Sequence, residues 1–270
     1  MRKLALSFAL RTTGSSTLYR SVRSVVLALL SGVPDRVGFS DSVAAITYSR
    51  RVPRSREGHE VERLLALAGS PASAPGVSLG LTASDYAAAD DWLTAHAVSS
   101  RFIALAPGSI WGTKRWPYYA ELAAVLDRPC VVVGGADDRP LAEAIVAATP
   151  GRTVSSVGEL ALRASAALIQ RAAVLVTNDS APLHLATAVG TPVVALFGPT
   201  VPDFGFGPRR AGDTTLGRDG LPCRPCSKHG PQTCPLGHHR CMRDLAVETV
   251  AAALAAITSA EESGAICPRN

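Results

Sequence analysis

The sequence of 270 residues contains few aromatic residues, modest charge and no long apolar run. Aromatic residues make up 5% of it and charged residues 18%, whereas 47% of the residues are hydrophobic. A disordered chain would be poorer in apolar residues and richer in charge, so this composition excludes general disorder. No apolar run approaches the roughly 18 residues that span a bilayer, so we expect no transmembrane helix.

Acidic residues are absent from the first 34 residues, which contain five basic ones: Arg2, Lys3, Arg11, Arg20 and Arg23. These five account for the whole formal net charge of +5, because the other 22 basic residues balance the 22 acidic ones. A basic, acid-free start is typical of transit peptides, but we favour an ordinary surface segment or a displaced start codon. Because residues 35–270 carry no net charge, we expect no nucleic-acid partner.

Six cysteines are too few for a small disulfide scaffold, so cysteine usage favours a cytoplasmic protein. Four of them lie close together in the sequence, at Cys223, Cys226, Cys234 and Cys241. Such a group could form a structural zinc site, although its spacing does not match the common zinc ribbons. A reduced, packed loop or a labile disulfide is the interpretation we favour, and we assign no metal.

Short apolar runs alternate with helical patterns from about residue 100. The runs predict five buried strands, at 102–106, 130–133, 153–157, 174–177 and 193–197. The patterns between them predict helices at 117–126, 137–148, 159–172 and 181–189. This alternation predicts the α/β class, with a doubly wound parallel sheet. Ligands bind at the carboxyl ends of such strands, which is where polar clusters follow at 107–115, 134–138 and 177–184.

The first 95 residues are less regular and offer few convincing strands. Helical patterns occur at 21–30 and 59–68, and residues 70–80 have the composition of a linker. A complete α/β domain usually needs on the order of 100–150 residues. We therefore predict a partial N-terminal domain with its linker at 1–80, a C-terminal domain at 81–257 and a tail at 258–270.

The segment 107–117, PGSIWGTKRWP, joins a predicted strand to the start of a helix. Free backbone N–H groups and the helix dipole favour anions there, and glycines allow close approach of a ligand. The hydroxyl of Thr113 and the charge of Lys114 suit a phosphate. A solvated loop with a chance lysine explains these residues about as well.

Two further strand ends carry candidate ligands. In the segment 177–184, TNDSAPLH, Ser180 and His184 are four residues apart and share one helix face. Helix capping alone explains Asp179 or Ser180, and that interpretation is favoured when the motif is taken by itself. Asp137 follows a Gly-Gly turn, as an acid that binds ribose hydroxyls does, although acids are common at helix starts.

Taken together and in order, several segments resemble the ADP-heptose:lipopolysaccharide heptosyltransferases of glycosyltransferase family 9. They lie at 31–39, 59–63, 107–117, 177–186, 197–200 and 234–245, and the resemblance covers roughly residues 21–257. The KRWP and CPLGHHRCM segments are more similar to heptosyltransferase II than to heptosyltransferase I. The resemblance implies a glycosyltransferase-B fold with a complete C-terminal Rossmann-like domain and a truncated N-terminal Rossmann-like domain.

The resemblance also implies a reaction, its partners and its place in the cell. A heptose would pass from ADP-L-glycero-D-manno-heptose to the lipopolysaccharide inner core, with inversion at the anomeric carbon and with no metal or cofactor. The donor would bind the C-terminal domain, and residues 1–80 would lie on the acceptor side. We expect a cytoplasmic protein, with the inner face of the inner membrane as the place where it meets its acceptor.

By motif position, the resemblance assigns roles to seven residues. Thr113 and Lys114 would contact the diphosphate, and Asp137 would bind the ribose. Asp179, Ser180 and Ala181 would lie on the donor, with Asp179 near the heptose hydroxyls. His184 would support this loop or reach the phosphates. The family usually has Gly where this chain has Ala181, and a methyl group there could crowd the donor.

The N-terminal part departs from the family pattern. The family carries a Gly-Asp motif in its first β–α loop, and that Asp acts as the general base. No such motif occurs here, and Asp35, Asp41 and Glu57 do not occupy the matching position. We therefore name no catalytic base and keep three hypotheses. They are a heptosyltransferase, a non-catalytic ADP-sugar-binding remnant and, well behind, a metal-binding interaction module built on the cysteines.

Overall fold

The computed structural model describes residues 14–16, 22–69, 76–98 and 101–262. Residue contacts divide the chain into two compact units, Met1–Pro75 and Gly76–Asn270. Parts of three predicted segments lie outside the described residues. These parts are 1–13 and 17–21 of the basic start, 70–75 of the linker and 263–270 of the tail.

The first unit contains a small parallel sheet with two helices. Along the chain, its elements are β1 (Gly14–Ser16), α1 (Val22–Leu30), β2 (Asp35–Phe39), β3 (Arg50–Val52) and α2 (Glu60–Leu67). The sheet has the order β1-β2-β3, and both strand pairs are parallel. The sequence predicted both helices but not these strands, because runs of three to five residues are too short to show a clear alternation.

The second unit contains a larger sheet enclosed by helices. Its first elements are α3 (Ala83–Ala95), β4 (Ile103–Ala106), α4 (Tyr119–Val125), β5 (Cys130–Val132), α5 (Arg139–Ala148), β6 (Thr153–Ser155) and α6 (Leu162–Arg171). They are followed by β7 (Val174–Asn178), α7 (Ala181–Val189), β8 (Val193–Phe197), β9 (Thr214–Gly217), α8 (Arg240–Arg243) and α9 (Val247–Glu262). The sheet order is β6-β5-β4-β7-β8-β9, and every pair is parallel. The prediction of an α/β parallel sheet is confirmed.

Alternate residues of the central strands pack into two separate cores. Ile103, Leu105 and Val176 belong to one apolar cluster, which includes residues of α4, α5 and α9. Ala104 and Leu175 belong to the other, which includes residues of α3, α6 and α7. Because neighbouring residues of a strand point to opposite faces, both faces of the sheet are covered, and β4, β7 and β8 are buried throughout.

The structure differs from the sequence prediction in three details. The sheet has a sixth strand, β9, whose sequence TTLG is short, polar and partly exposed at the sheet edge. Helix α6 begins at Leu162 rather than near Glu159. The predicted helix at 137–148 is divided into a 3₁₀ turn, Ala136–Asp138, and α5. Among the described residues, no helix is both long and apolar enough to cross a membrane.

Candidate functional site

A cleft of about 670 Å³ opens beside the carboxyl ends of β4, β5 and β7. All of its lining residues belong to the second unit. Four of the seven predicted site residues line it, namely Asp137, Asp179, Ser180 and Ala181. The parallel sheet thus brings together side chains from polar segments that are far apart in sequence, as the strand-end argument predicted.

Asn178, the last residue of β7, fastens the loop that follows β4. Its side-chain nitrogen donates to the carbonyl oxygen of Pro107 at 2.8 Å, and its side-chain oxygen accepts from the backbone N–H of Trp116 at 3.2 Å. Asn178 is fully buried, so both bonds are shielded from water. Sequence reasoning assigned it no role, although an amide that ends a buried strand is a signal for such a contact.

Lys114 and Asp179 form a buried ion pair at the same strand ends. The Nζ atom of Lys114 lies 2.5 Å from Oδ2 of Asp179 and 3.2 Å from its backbone oxygen. The hydroxyl of Thr200 donates to the same Oδ2 at 2.7 Å. Lys114 and Asp179 are each only 8% exposed. We call these three residues the carboxylate clamp, because two donors hold one carboxylate oxygen.

Thr113 faces away from the cleft, toward a loop near the C-terminus. Its hydroxyl donates to the backbone oxygen of Pro231 at 2.5 Å, and its own carbonyl oxygen lies 2.8 Å from Nε2 of His239. Thr113 is 3% exposed and is not among the cleft-lining residues. The hydroxyl of Thr113 therefore has a hydrogen-bond partner within the protein.

His184 lies on α7 beside the carboxylate clamp but does not line the cleft. Its ring is 6.5 Å from the ring of Phe206, measured between centroids. Desolvation lowers the pKa of His184, the charge of Asp179 raises it, and the charge of Lys114 lowers it further. The net lowering favours a neutral imidazole at neutral pH.

The acidic turn after β5 fills space that two glycines leave open. Oδ2 of Asp138 accepts from the backbone N–H of Gly135 at 3.0 Å. A Cβ atom at Gly108 or at Gly134 would overlap the Asp138 carboxyl group. The neighbouring carboxylate therefore explains glycine at both positions, whereas for Gly108 the sequence argument invoked close approach of a ligand.

Ser180 and Ala181 begin α7 at the cleft. Ser180 is the N-cap residue, but its side chain makes no capping bond, so the capping explanation does not account for its hydroxyl. That hydroxyl donates to the backbone oxygen of Asn178 at 3.4 Å. Ala181 is exposed and lines the cleft, which is where its methyl group would meet a ligand.

The cysteine-rich loop packs against the loop that carries Lys114. The side chain of Gln232 accepts from the backbone N–H of Gly112 at 3.0 Å and donates to the backbone oxygen of Ile110 at 2.9 Å.

Burial raises the pKa of the free thiol of Cys241 to about 11. In the part of the chain that the structure describes, no three His, Cys, Asp or Glu side chains are arranged to hold a metal ion. The zinc interpretation therefore gains no support from the geometry.

The profile of glycosyltransferase family 9 (heptosyltransferase) matches residues 16–236. The chain belongs to glycosyltransferase family 9. The match includes the cleft, the carboxylate clamp and all seven predicted site residues, so the predicted family is confirmed.

The relatives of the chain include heptosyltransferases of both types, 2 and 1. Lipooligosaccharide heptosyltransferase 2 of Haemophilus influenzae is 36% identical over 112 residues, which are 38% of this chain and 32% of that protein. Lipopolysaccharide heptosyltransferase 1 of Pseudomonas aeruginosa is 30% identical over 203 residues, covering 72% of this chain and 54% of that protein. The chain thus spans about a third to a half of the length of these relatives.

A solved structure shares both the fold and part of the sequence. ADP-heptose lps heptosyltransferase II of E. coli matches with a TM-score of 0.75 and 26% identity, over 93% of this chain and 78% of that one. This match confirms the predicted glycosyltransferase-B type of fold. Asp35, Asp41 and Glu57 belong to the first unit, and none of them is among the residues that line the cleft.

Sequence reasoning missed two further groups in this family-9 site. Thr200 ends the segment 197–200, which carries part of the family resemblance but predicted no role for it, and its hydroxyl completes the carboxylate clamp. Arg115 follows Lys114 directly and lines the cleft, whereas Lys114 does not. Two adjacent basic residues carried the signal, but only the three-dimensional arrangement shows which of them faces the cleft.

Proposed function

We propose that this chain acts as a heptosyltransferase that passes a heptose from ADP-L-glycero-D-manno-heptose to the lipopolysaccharide inner core. The observation that carries the proposal is the carboxylate clamp of Lys114, Asp179 and Thr200 beside a cleft of about 670 Å³. A held carboxylate with a fixed direction suits recognition of sugar hydroxyls, which donate hydrogen bonds to it.

The proposed donor pose follows the cleft wall. Asp179 would accept from heptose hydroxyls, and Ser180 and Ala181 would lie along the donor at the start of α7. The dipole of α7 has its positive end at that helix start, which favours the diphosphate. Asp137, on the adjacent wall, would accept from the ribose hydroxyls. Lys114, Thr113 and His184 do not line the cleft, so we propose that they support this wall. Of the three, Lys114 would also act on the diphosphate through the electric field of its charge.

Inversion follows from a single displacement at the anomeric carbon. The acceptor hydroxyl oxygen would form a bond to that carbon as the bond from carbon to the diphosphate oxygen breaks, and the electron pair would leave with ADP. A base would take the hydroxyl proton, and a fixed positive environment would stabilise the charge that develops on ADP. We propose no metal in this step, and we place residues 1–80 on the acceptor side of a cytoplasmic protein at the inner face of the inner membrane.

Calorimetry and a transfer assay on the full chain test this function. We expect ADP-heptose to bind and heptose to appear on a heptose-acceptor lipopolysaccharide core. Binding without transfer would favour the second candidate, a non-catalytic ADP-sugar-binding protein. If neither ADP nor ADP-heptose binds, both proposals are wrong.

A further inference from the structure

We infer that Arg115 is the cleft's own ligand for the diphosphate of a nucleoside diphosphate sugar, and that Lys114 serves mainly to hold Asp179. The inference rests on the proposed function and assigns the anion-binding role within it to a particular side chain. Three observations carry it: the charges that line the cleft, the bonds that Lys114 already makes, and the placement of the Arg115 guanidinium.

The cleft is unbalanced in charge. Its described charged lining residues are one cation, Arg115, and three carboxylates, Asp137, Asp138 and Asp179. A diphosphate brings further negative charge into this space, and a partly buried anion needs a charged or hydrogen-bonding partner. Arg115 is the side chain on the wall with the sign to supply it.

Lys114 is already committed to the carboxylate clamp. Its Nζ atom bonds to two oxygens of Asp179, at 2.5 and 3.2 Å, and both residues are buried. Moving Nζ to a phosphate would leave the Asp179 carboxylate without its cation in a poorly solvated place, which is costly. We therefore assign Lys114 to the position of Asp179, where it neutralises one of the three carboxylates.

One nitrogen of the Arg115 guanidinium bonds to the protein, and the two terminal nitrogens are available to a ligand. Its Nε–H donates to the backbone oxygen of Ser109 at 2.9 Å, and Ser109 also lines the cleft. Within the described residues, the terminal nitrogens Nη1 and Nη2 have no protein hydrogen-bond partner, and the side chain is half-buried. A guanidinium fixed through Nε presents a planar pair of donors, which matches two oxygens of a phosphate.

Titration of the full chain with ADP and with adenosine separates this role from a general effect on folding. We expect Arg115→Gln to weaken ADP binding about 10- to 100-fold, the range for a hydrogen bond to a charged group. Adenosine, which has no phosphate, should bind the variant within about twofold of the wild type. Arg115→Lys keeps the charge but loses the planar pair of donors, so its ADP affinity should be intermediate.

Arg243→Gln is the matched control, because it removes the same charge from an exposed position outside the cleft. Its ADP affinity should equal that of the wild type. Equal ADP affinity of Arg115→Gln and the wild type would overturn the inference and leave the proposed function standing. Parallel loss of adenosine binding would also overturn it, because the defect would then not concern the phosphates. Failure of the wild type to bind ADP would overturn both.

Discussion

At the scale of single residues, the site depends on how one carboxylate is held. One carboxylate oxygen of Asp179 accepts hydrogen bonds from both Lys114 and Thr200, and the three residues follow three different strands. The sequence placed Asp179 and Lys114 in the same site but gave no reason to pair them. Their contact joins positions 65 residues apart and exists only because β4 lies beside β7.

Lys114→Ala should destabilise the protein as well as weaken the binding of ADP-sugars. The change leaves a buried carboxylate without its cation, and breaking such a pair costs about 3–5 kcal/mol. Urea unfolding measures this free energy directly. Lys228→Ala is the matched control, since Lys228 is exposed, and it should leave the midpoint unchanged. Equal stability of the two variants would show that the clamp does not hold in solution.

Thr200→Val tests the second donor of the clamp at nearly constant volume. Thr200 is 1% exposed, so losing its hydroxyl leaves Asp179 with one donor fewer in a buried place. We expect unfolding free energy to fall by about 1–3 kcal/mol and the Kd for ADP-heptose to rise. Thr200→Ser keeps the hydroxyl and should restore donor affinity. Failure of serine to restore it would attribute the defect to packing instead.

At the scale of secondary-structure elements, prediction succeeded where a strand is buried on both faces. The runs of β7 and β8 are continuously apolar over most of their length, and both strands were predicted to within a residue. The edge strand β9 was not predicted, because its sequence TTLG contains no continuous apolar run. It forms a strand by pairing with β8, and that pairing is not visible in the sequence. The start of α6 was placed too early, because Leu160 fits the helical pattern while the chain there still forms a turn.

Helix α3 begins with a carboxylate contact that stabilises the fold and that acid weakens. At its start, Asp85 accepts from the N–H of Thr82 at 2.7 Å, and its Oδ2 lies 2.9 Å from Nη2 of Arg163 on α6. Hydrogen bonds from Arg163 and then Thr82 lower the pKa of Asp85 to about 2. A lowered pKa stabilises the fold above the unfolded value of 3.8, and that contribution is lost as the pH falls toward 2.

Asp85→Asn should therefore lower the stability at pH 7 and weaken its dependence on pH between about 4 and 2. Thermal unfolding of the wild type and the variant across that range measures the difference. Asp91→Asn, on the same helix, is the control and should follow the wild type, because the side chain of Asp91 is exposed to solvent. Parallel curves for Asp85→Asn and the wild type would contradict the assignment.

At the scale of the whole molecule, the two units differ in net charge, and the candidate site lies in the second. Residues 1–75 contain 11 basic and 5 acidic residues, whereas residues 76–270 contain 16 and 17. The cleft and the clamp belong entirely to the second, nearly neutral unit. The sequence could place the site at strand ends, because that follows from alternation alone. It could not tell which basic side chain faces the cleft, because that depends on how the loop after β4 is fastened by Asn178 and Gln232.

Hydrogen exchange on the full chain should show that ADP acts on the second unit. At a ligand concentration of 100 times Kd, binding stabilises the folded state by about 2.7 kcal/mol, so amides that exchange through opening of the ligand-bound region slow down. We expect added protection in 107–117 and 177–186, which border the cleft, and none in 22–69. Arg115→Gln at the same ADP concentration is the control and should show less protection. Protection confined to 22–69 would mean that ADP binds elsewhere and that this cleft is not the donor site.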